Sequence, residues 1–168
     1  MHPTLRHHGL HATSEMTQAQ ESALLASARA LQRAAGAGMT QPLLKGKNIG
    51  LLCEDADTAE AMLFERAATE LGAKVARIRA SVSGVTSPQL PPFTVRMLGK
   101  LYDAVECQGI APELVRRLGD AIGVPVYAGL ATAQHPTARL ATQLGGDGSA
   151  ADNRRFVLQA VLLGTVGG

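Results

Sequence analysis

The sequence has no Trp, and its Phe and Tyr bring aromatics to only 3%. That leaves few platforms on which single-stranded bases or sugars stack. An excess of one charge is missing too. Sixteen Lys plus Arg against fourteen Asp plus Glu leaves +2, which predicts no nucleic-acid partner. No apolar run approaches the ~20 residues of a membrane span, so no membrane partner is expected. The opening segment, Met1-His2-Pro3-Thr4-Leu5-Arg6-His7-His8, carries no apolar signal region, which predicts a cytoplasmic protein. The two cysteines, Cys53 and Cys107, stand far apart in apolar runs. They read as buried thiols of a reducing compartment, not as a disulfide framework or a zinc site. Glycine-rich nucleotide loops, HExxH and CxxC are all absent, and neither a metal nor a cofactor is expected. What is present is 168 residues, 46% hydrophobic and 18% charged, enough for one domain with a sizeable core.

Residues 1–15 are polar, and His2, His7, His8 and His11 would catch a metal if the segment were ordered. A frayed, disordered tail is the preferred reading, with a single domain over residues 16–168. A helix starts at a capping box, Thr17 with Gln20, and shows Leu24, Leu25, Ala28 and Leu31 on one face. Gly36 and Gly38 stop it. After a linker over residues 40–47, apolar runs alternate with helical patterns. Strands are predicted at 48–53, 74–78, 104–107 and 125–127. Helices are predicted at 58–71 (Ala61, Met62, Phe64, Ala68 and Leu71 inward), 93–101, 112–122 and after His135-Pro136. Residues 80–92, with three prolines, read as a long loop. Residues 145–151 (GGDGSAA) read as a joint, and 152–166 as an amphipathic helix showing Phe156, Val157, Ala160, Val161 and Leu163. This rhythm predicts an α/β three-layer sandwich around a four-stranded parallel sheet. Ligands of such sheets sit beyond the carboxyl ends of the strands. Residues 54–58, 108–111 and 129–135 are therefore the places for chemistry.

Several segments together carry a family resemblance. They are Leu44-Lys45-Gly46-Lys47-Asn48-Ile49, Phe64-Glu65, Leu71-Gly72-Ala73, Arg96-Met97-Leu98-Gly99-Lys100-Leu101-Tyr102-Asp103, Gly123-Val124-Pro125-Val126-Tyr127 and His135-Pro136-Thr137. From residue 43 to about 144 the chain resembles the aspartate/ornithine carbamoyltransferases, ornithine carbamoyltransferases most of all. The stretch Asp152-Asn153-Arg154 to Ala160-Val161 is similar to that family's C-terminal helix. Family members have a carbamoyl-phosphate domain, then an amino-acid domain, and the terminal helix returns to the first. Here only GGDGSAA separates the two regions of resemblance. The resemblance therefore implies a carbamoyl-phosphate domain with its terminal helices, helix 152–166 packing back on it, and the amino-acid domain missing.

The family binds carbamoyl phosphate with Ser-Thr-Arg-Thr-Arg at a helix start, where backbone N–H groups and guanidinium charges meet a dianion. The matching residues here are Asp57-Thr58-Ala59-Glu60-Ala61. Both arginines are gone and two carboxylates have arrived, so phosphate is expected to be repelled. Asp57 and Glu60 fit a capping pattern, with Asp57 as N-cap and Glu60 reaching back. A structural cap is the preferred reading; a site for a cationic or amine ligand, and a still functional phosphate site, stay open. Restoring Arg at 59 and 61, with Ser at 57, is expected to raise phosphate affinity. Gln108 falls where the family has an Arg, and Ala138 where it has a Gln. The stretch around Thr86-Ser87-Pro88-Gln89 has no basic residue to lend to a neighbouring subunit. His135 matches the family's histidine that hydrogen-bonds the carbamoyl oxygen. It is read first as a vestigial residue fixing the turn before Pro136, beside Thr137. Ser81 and Ser83 have no evident His–Asp pairing. Glu54, Asp55 and Asp57 read as solvated rather than as a metal cluster.

The candidate ligand-binding residues are therefore Asp57, Thr58, Glu60, Gln108, His135 and Thr137, with no catalytic residue expected. The expected function is that of a truncated carbamoyltransferase-like pseudoenzyme, a homotrimeric binding or assembly module. A residual ornithine or aspartate carbamoyltransferase completed by a partner chain is one alternative, and a sensor of an amine or amino acid is another. A true carbamoyltransferase is the candidate partner.

Overall fold

The computed structural model describes residues 16–167, and the expected histidine-rich tail lies outside them. Alternation of side chains along four short strands sets the layers. These are β1 (Asn48–Cys53), β2 (Lys74–Arg79), β3 (Ala104–Cys107) and β4 (Val126–Ala128). They pair in parallel in the order β2-β1-β3-β4. Ile49, Leu51, Ala104 and Tyr127 face one side of the sheet. Leu52, Val105, Cys107 and Val126 face the other. This is the period of two that a pleated strand imposes.

Eight helical segments supply the outer layers: α1 (Gln18–Gly36), α2 (Ala59–Glu70), α3 (Ala80–Ser83), α4 (Pro92–Leu101), α5 (Pro112–Ile122), a 3-10 turn (Pro136–Arg139), α6 (Leu140–Leu144) and α7 (Ala150–Val166). On the first face Leu24 and Ala28 of α1, Phe64 and Ala68 of α2, Leu140 of α6 and Leu158 of α7 close one core. On the second, Leu98 of α4 and Val115, Leu118 and Ile122 of α5 close the other. The fold is thus an α/β three-layer sandwich. From β1 the chain first builds outward to β2, then returns to add β3 and β4 on the other side. Strand order reverses beside β1, and the carboxyl ends of β1 and β3 flank the crevice that such a reversal opens.

Local signals act where they stand. Thr17 and Gln20 form the capping box that starts α1, with Thr17 N donating to Gln20 Oε1 at 2.8 Å. Gly123 ends α5 at φ +71°, a conformation that costs glycine little. Both thiols are buried and unpaired, and burial pushes both up from their ordinary pKa.

Four details depart from the sequence reading. The loop expected over residues 80–92 begins with α3, entered directly from β2, and Thr94 Oγ1 donates to Ser83 O at 2.9 Å. β4 runs one residue later than predicted because Pro125 has no N–H; its carbonyl still accepts from Val105 N at 2.9 Å. Met62 is 52% exposed, because α2 turns Ala61, Phe64, Ala67 and Ala68 inward. Finally, α7 is not amphipathic: it is buried without a break from Asn153 to Leu162. Helices α1, α2 and α6 pack around it. Its polar residues are accommodated by partners rather than by water. Arg155 Nη1 reaches both oxygens of Glu70, at 2.8 and 3.0 Å, and Gln159 Nε2 donates to Ala67 O at 3.2 Å.

One close approach gives a test of the α4–α5 packing. A Cβ on Gly99 would lie 2.8 Å from Ile122 O, a backbone atom that cannot rotate away. Gly99→Ala is expected to lower stability by about 1–3 kcal/mol in urea unfolding, despite alanine's better helix propensity. A gain in midpoint would show that α4 and α5 are more loosely packed than described.

Candidate functional site

Three strand ends meet at the carboxyl edge of the sheet. The first is the turn from β1 into α2. Here Thr58, not Asp57, is the N-cap: its Oγ1 accepts from Ala61 N at 3.2 Å. Asp57 lies one residue too early, and its own N–H is taken by Asp55 Oδ1 at 2.9 Å, an Asx-type turn. Its side chain points outward and forms a 3.9 Å ion pair with Arg77 Nη1. Glu60 sits in the first turn of α2, and among the described residues its side chain makes no hydrogen bond back to the cap. The expected Asp57–Glu60 capping box is therefore replaced by a single Thr58 cap.

Charge around this turn is mostly acidic, and Glu54, Asp57 and Arg77 are engaged. Cys53, Glu54, Asp55, Ala56, Asp57, Arg77, Ile78 and Arg79 line a shallow depression of about 380 Å³. Glu54 accepts from both Ser81 N, at 2.9 Å, and Ser81 Oγ, and these bonds hold its carboxyl below the usual range. Arg77 is bound to Glu65 through Nη2 at 2.6 Å and Nε at 2.8 Å. That bond raises its already high pKa, so it stays charged but committed. Ser81 thus serves Glu54 and is no nucleophile with a His–Asp pair. Among the described residues no cluster of His, Cys, Asp and Glu has metal-holding geometry. Ala59 is exposed at the start of α2, whereas Ala61 is fully buried in the core. Position 61 has no room for an arginine facing a ligand, which corrects half of the restoration expected from sequence.

The second strand end is Gln108, just after β3. Its N–H donates to Leu52 O at 2.8 Å, anchoring it beside β1. The residue is 8% exposed, and its Nε2 has no partner among the described residues. The third follows β4. Gly129 N donates to Cys107 O at 2.8 Å, and a tight turn carries the chain to His135 and Thr137, both buried. His135 is the N-cap of the 3-10 turn. Its Nδ1 lies 2.9 Å from Thr137 Oγ1 and 3.2 Å from Thr137 N. Burial, assisted by the nearby Arg154 guanidinium, pushes the imidazole down to about 4, so it is neutral at physiological pH.

Two residues not singled out in the sequence complete this third region. Arg154, on α7, donates from Nη1 to Thr137 Oγ1 at 3.1 Å and from Nη2 to Leu130 O. Glu106, on β3 and wholly buried, accepts from Leu130 N through both oxygens, at 2.9 and 3.0 Å. The two peptide groups that flank Leu130 are thus held by a buried acid on one side and a buried guanidinium on the other. Burial pushes Glu106 up to about 8, against the pull of the Leu130 and Gly129 N–H groups, and brings Arg154 down to about 10. Glu106 was legible as the one charged residue inside an apolar strand. Nothing in the sequence paired it with Arg154.

Of the predicted site residues, the structure joins His135 directly to Thr137, and sets Gln108 against β1. No hydrogen bond among the described residues links Asp57, Thr58 or Glu60 to Gln108 or His135. The assembled edge offers a neutral imidazole, a hydroxyl cap and a buried amide donor behind an acidic lip. It can donate to a carbonyl; of the two guanidiniums that line the acidic depression, Arg77 is committed to Glu65, and Arg79 makes no ion pair among the described residues.

A parallel α/β sandwich with its candidate site residues at a strand-order reversal defines a broad class of domain. Comparison with known proteins narrows it. The family profile described as the aspartate/ornithine carbamoyltransferase carbamoyl-P binding domain matches residues 8–144. The chain is 40% identical over 128 residues to an ornithine carbamoyltransferase of Haemophilus influenzae, covering 76% of this chain and 38% of that protein. It is 42% identical over 118 residues to a catabolic ornithine carbamoyltransferase of Burkholderia mallei, covering 70% and 35%. The solved ornithine carbamoyltransferase from Pyrococcus furiosus has the same fold, with a TM-score of 0.65, 22% identity and coverage of 76% and 41%. This chain belongs to the aspartate/ornithine carbamoyltransferase family and corresponds to its carbamoyl-P binding domain. It spans well under half the length of the curated relatives it matches.

Proposed function

We propose that this chain is a carbamoyltransferase-like module without transferase turnover, a trimeric binding or assembly partner rather than an enzyme. The observation that carries this reading is the charge at the α2 entry. Glu54, Asp55, Asp57 and Glu60 cluster where a phosphate-binding member of the family places cations. The guanidinium in contact with them, Arg77, is tied to Glu65. Electrostatic groups that stabilise a reacting anion are commonly worth ~3–4 kcal/mol each, so loss of the cations by itself removes most of a transferase rate. The direct passage from α6 into α7 through residues 145–149 supports the same reading, because it leaves no acceptor-binding domain between them. Exposed Val82 and Phe93, 78% and 67% accessible, support an assembly role for the segment that carries them.

The test is calorimetric titration with carbamoyl phosphate and with inorganic phosphate, run beside sedimentation analysis and a direct assay for carbamoylated ornithine or aspartate. Neither anion is expected to give measurable heat, the chain should sediment as a trimer, and no product should form. Product formation that disappears in His135→Ala would overturn the reading, as would a monomer with no effect on a full-length carbamoyltransferase.

One observation favours a second reading, a residual carbamoyltransferase completed by another chain. His135 keeps a buried, neutral imidazole fixed at a strand end, the state needed to polarise a carbonyl. Mixing with a full-length ornithine carbamoyltransferase inactivated at its own active site separates the two readings. Restored turnover supports the second.

A further inference from the structure

A second cavity lies at the opposite end of α2 from the acidic entry, about 18 Å away along a helix of 12 residues. Its volume is about 570 Å³, within the range of small-molecule sites, and it opens between α1, the linker before β1, the end of α2 and the buried helix α7. Along one face of α1 its lining positions are Ser27, Leu31 and Ala34, and the two small residues leave unfilled the space that larger side chains would take against α7. Phe156 and Leu163 of α7 form the facing wall, and the exposed Met39 and Leu43 flank the mouth. The floor is polar and carries no net charge. Glu70 and Arg155, its charged residues, are bound to each other at 2.8 Å. Glu70 also accepts from Arg66 Nε at 2.9 Å, and Arg155 Nη2 donates to Asp152 Oδ1 at 3.1 Å, so two guanidiniums meet two carboxylates. One acceptor and one donor are left over. Gln159, which lines the cavity, is 4% exposed; its Nε2 is taken by Ala67 O at 3.2 Å and Glu70 Oε2 at 3.1 Å, and its Oε1 accepts from no group among the described residues. The Nε–H of Arg155, whose guanidinium stacks on Phe156 at 4.8 Å, has no partner among them either. A buried polar atom without a partner is destabilising, and a ligand group that pairs with it removes that penalty.

We propose that this cavity is a binding site for an uncharged, mainly apolar molecule that carries a single donor–acceptor group at its buried end, an aryl alcohol being the simplest case. The hydroxyl donates to Gln159 Oε1 and accepts from the Arg155 Nε–H. The apolar body packs against Leu31, Phe156 and Leu163. The same floor excludes a carboxylate or an ammonium. Glu70 and Arg155 already satisfy each other, and a bare charge brought among these walls loses its water without gaining a counter-charge. The site shares no residue with the strand ends at the other edge of the sheet, so it stands whether or not the chain binds carbamoyl phosphate.

The test uses three probes of nearly one shape, substituted at the same ring position: naphthalenemethanol, ethylnaphthalene, which has a methyl in place of the hydroxyl, and naphthoate, which carries a carboxylate. The chain has no Trp, so naphthyl fluorescence can be followed directly in titrations of the full chain. Wild type is expected to bind the alcohol about fivefold more tightly than the hydrocarbon, the yield of one net hydrogen bond, and about tenfold more tightly than the carboxylate. Gln159→Leu should bind the hydrocarbon as wild type does, while the advantage of the alcohol disappears. Ala34→Phe fills the cavity from α1; it should abolish binding of all three probes with the urea midpoint at or above the wild-type value. An alcohol that binds wild type no more tightly than the hydrocarbon overturns the ligand class, even if Gln159→Leu does not fold. Probe binding that survives in Ala34→Phe overturns the location. Binding that weakens as chain concentration rises, in step with self-association in sedimentation, gives the cavity to a second copy of the chain and overturns the proposal.

Discussion

The variant Asp57→Ser/Ala59→Arg/Glu60→Thr is expected to bind phosphate and carbamoyl phosphate several hundred-fold more tightly than the wild-type chain. Residues 57, 59 and 60 are exposed at the mouth of α2, so each can be exchanged without disturbing the core. Thr58 keeps its cap on Ala61 N, and the helix start survives. One charge-assisted bond from a new guanidinium is worth about 1.5–3 kcal/mol. Removing two carboxylates near the anion adds roughly 1 kcal/mol at the separations and screening of an exposed site. The sum, about 2.5–4 kcal/mol, corresponds to roughly two to three orders of magnitude in affinity. Titration calorimetry at low ionic strength is the measurement, and the gain should shrink as salt is added. Ala61→Arg is the control. Ala61 is fully buried against the core of α2, so an arginine there should destabilise the fold by about 1–3 kcal/mol and add no affinity. If the exposed triple variant binds no better than wild type, the acidic entry is not what excludes the anion.

The second large effect is a pH dependence set by the buried pair behind His135. Glu106 titrates at about 8 in the folded chain against an ordinary 4.5. The folded state therefore holds a proton that the unfolded state has released. Its contribution is full below pH 4.5 and is lost as pH rises through 8. His135 acts in the opposite sense: at about 4 against an ordinary 6.5, its contribution is lost as pH falls from 6.5 to 4. Between pH 4.5 and 6.5 the two slopes oppose one another. Above 6.5 only Glu106 remains of the two, at about 1.4 kcal/mol per pH unit. The pair thus predicts a loss of roughly 2 kcal/mol in urea stability between pH 6.5 and 8. Glu106→Gln, which mimics the protonated acid, should be near wild type at pH 6 and should abolish this fall. Glu106→Ala, which orphans Leu130 N and opens a cavity, should cost about 2–4 kcal/mol at pH 6. A wild-type profile that stays level between pH 6.5 and 8 while Glu106→Gln matches it would mean the acid is ionised throughout.

These two effects differ in how visible they were in the chain. The acidic α2 entry was legible residue by residue, because the resemblance aligned Asp57-Thr58-Ala59-Glu60-Ala61 with a cationic motif. Which of those residues caps the helix was not. Asp57 and Thr58 both suit an N-cap, and the choice fell to Thr58 once Asp55 had taken the Asp57 N–H. Likewise, alanine at 59 and at 61 reads identically in sequence, yet one faces solvent and the other the core.

The sequence by itself determined the strand–helix rhythm, the parallel sheet, the capping box of α1 and the family, because each rests on local periodicity, turn chemistry or contiguous motifs. Only the tertiary structure decided the burial of α7 and the Glu106–Leu130–Arg154–Thr137–His135 chain. Its members come from β3, from the loop after β4 and from a helix that follows that loop. A charged residue looks solvent-facing to any pattern of hydropathy. It can be buried only when folding delivers donors and acceptors that replace its water, and those partners lie far from it along the chain.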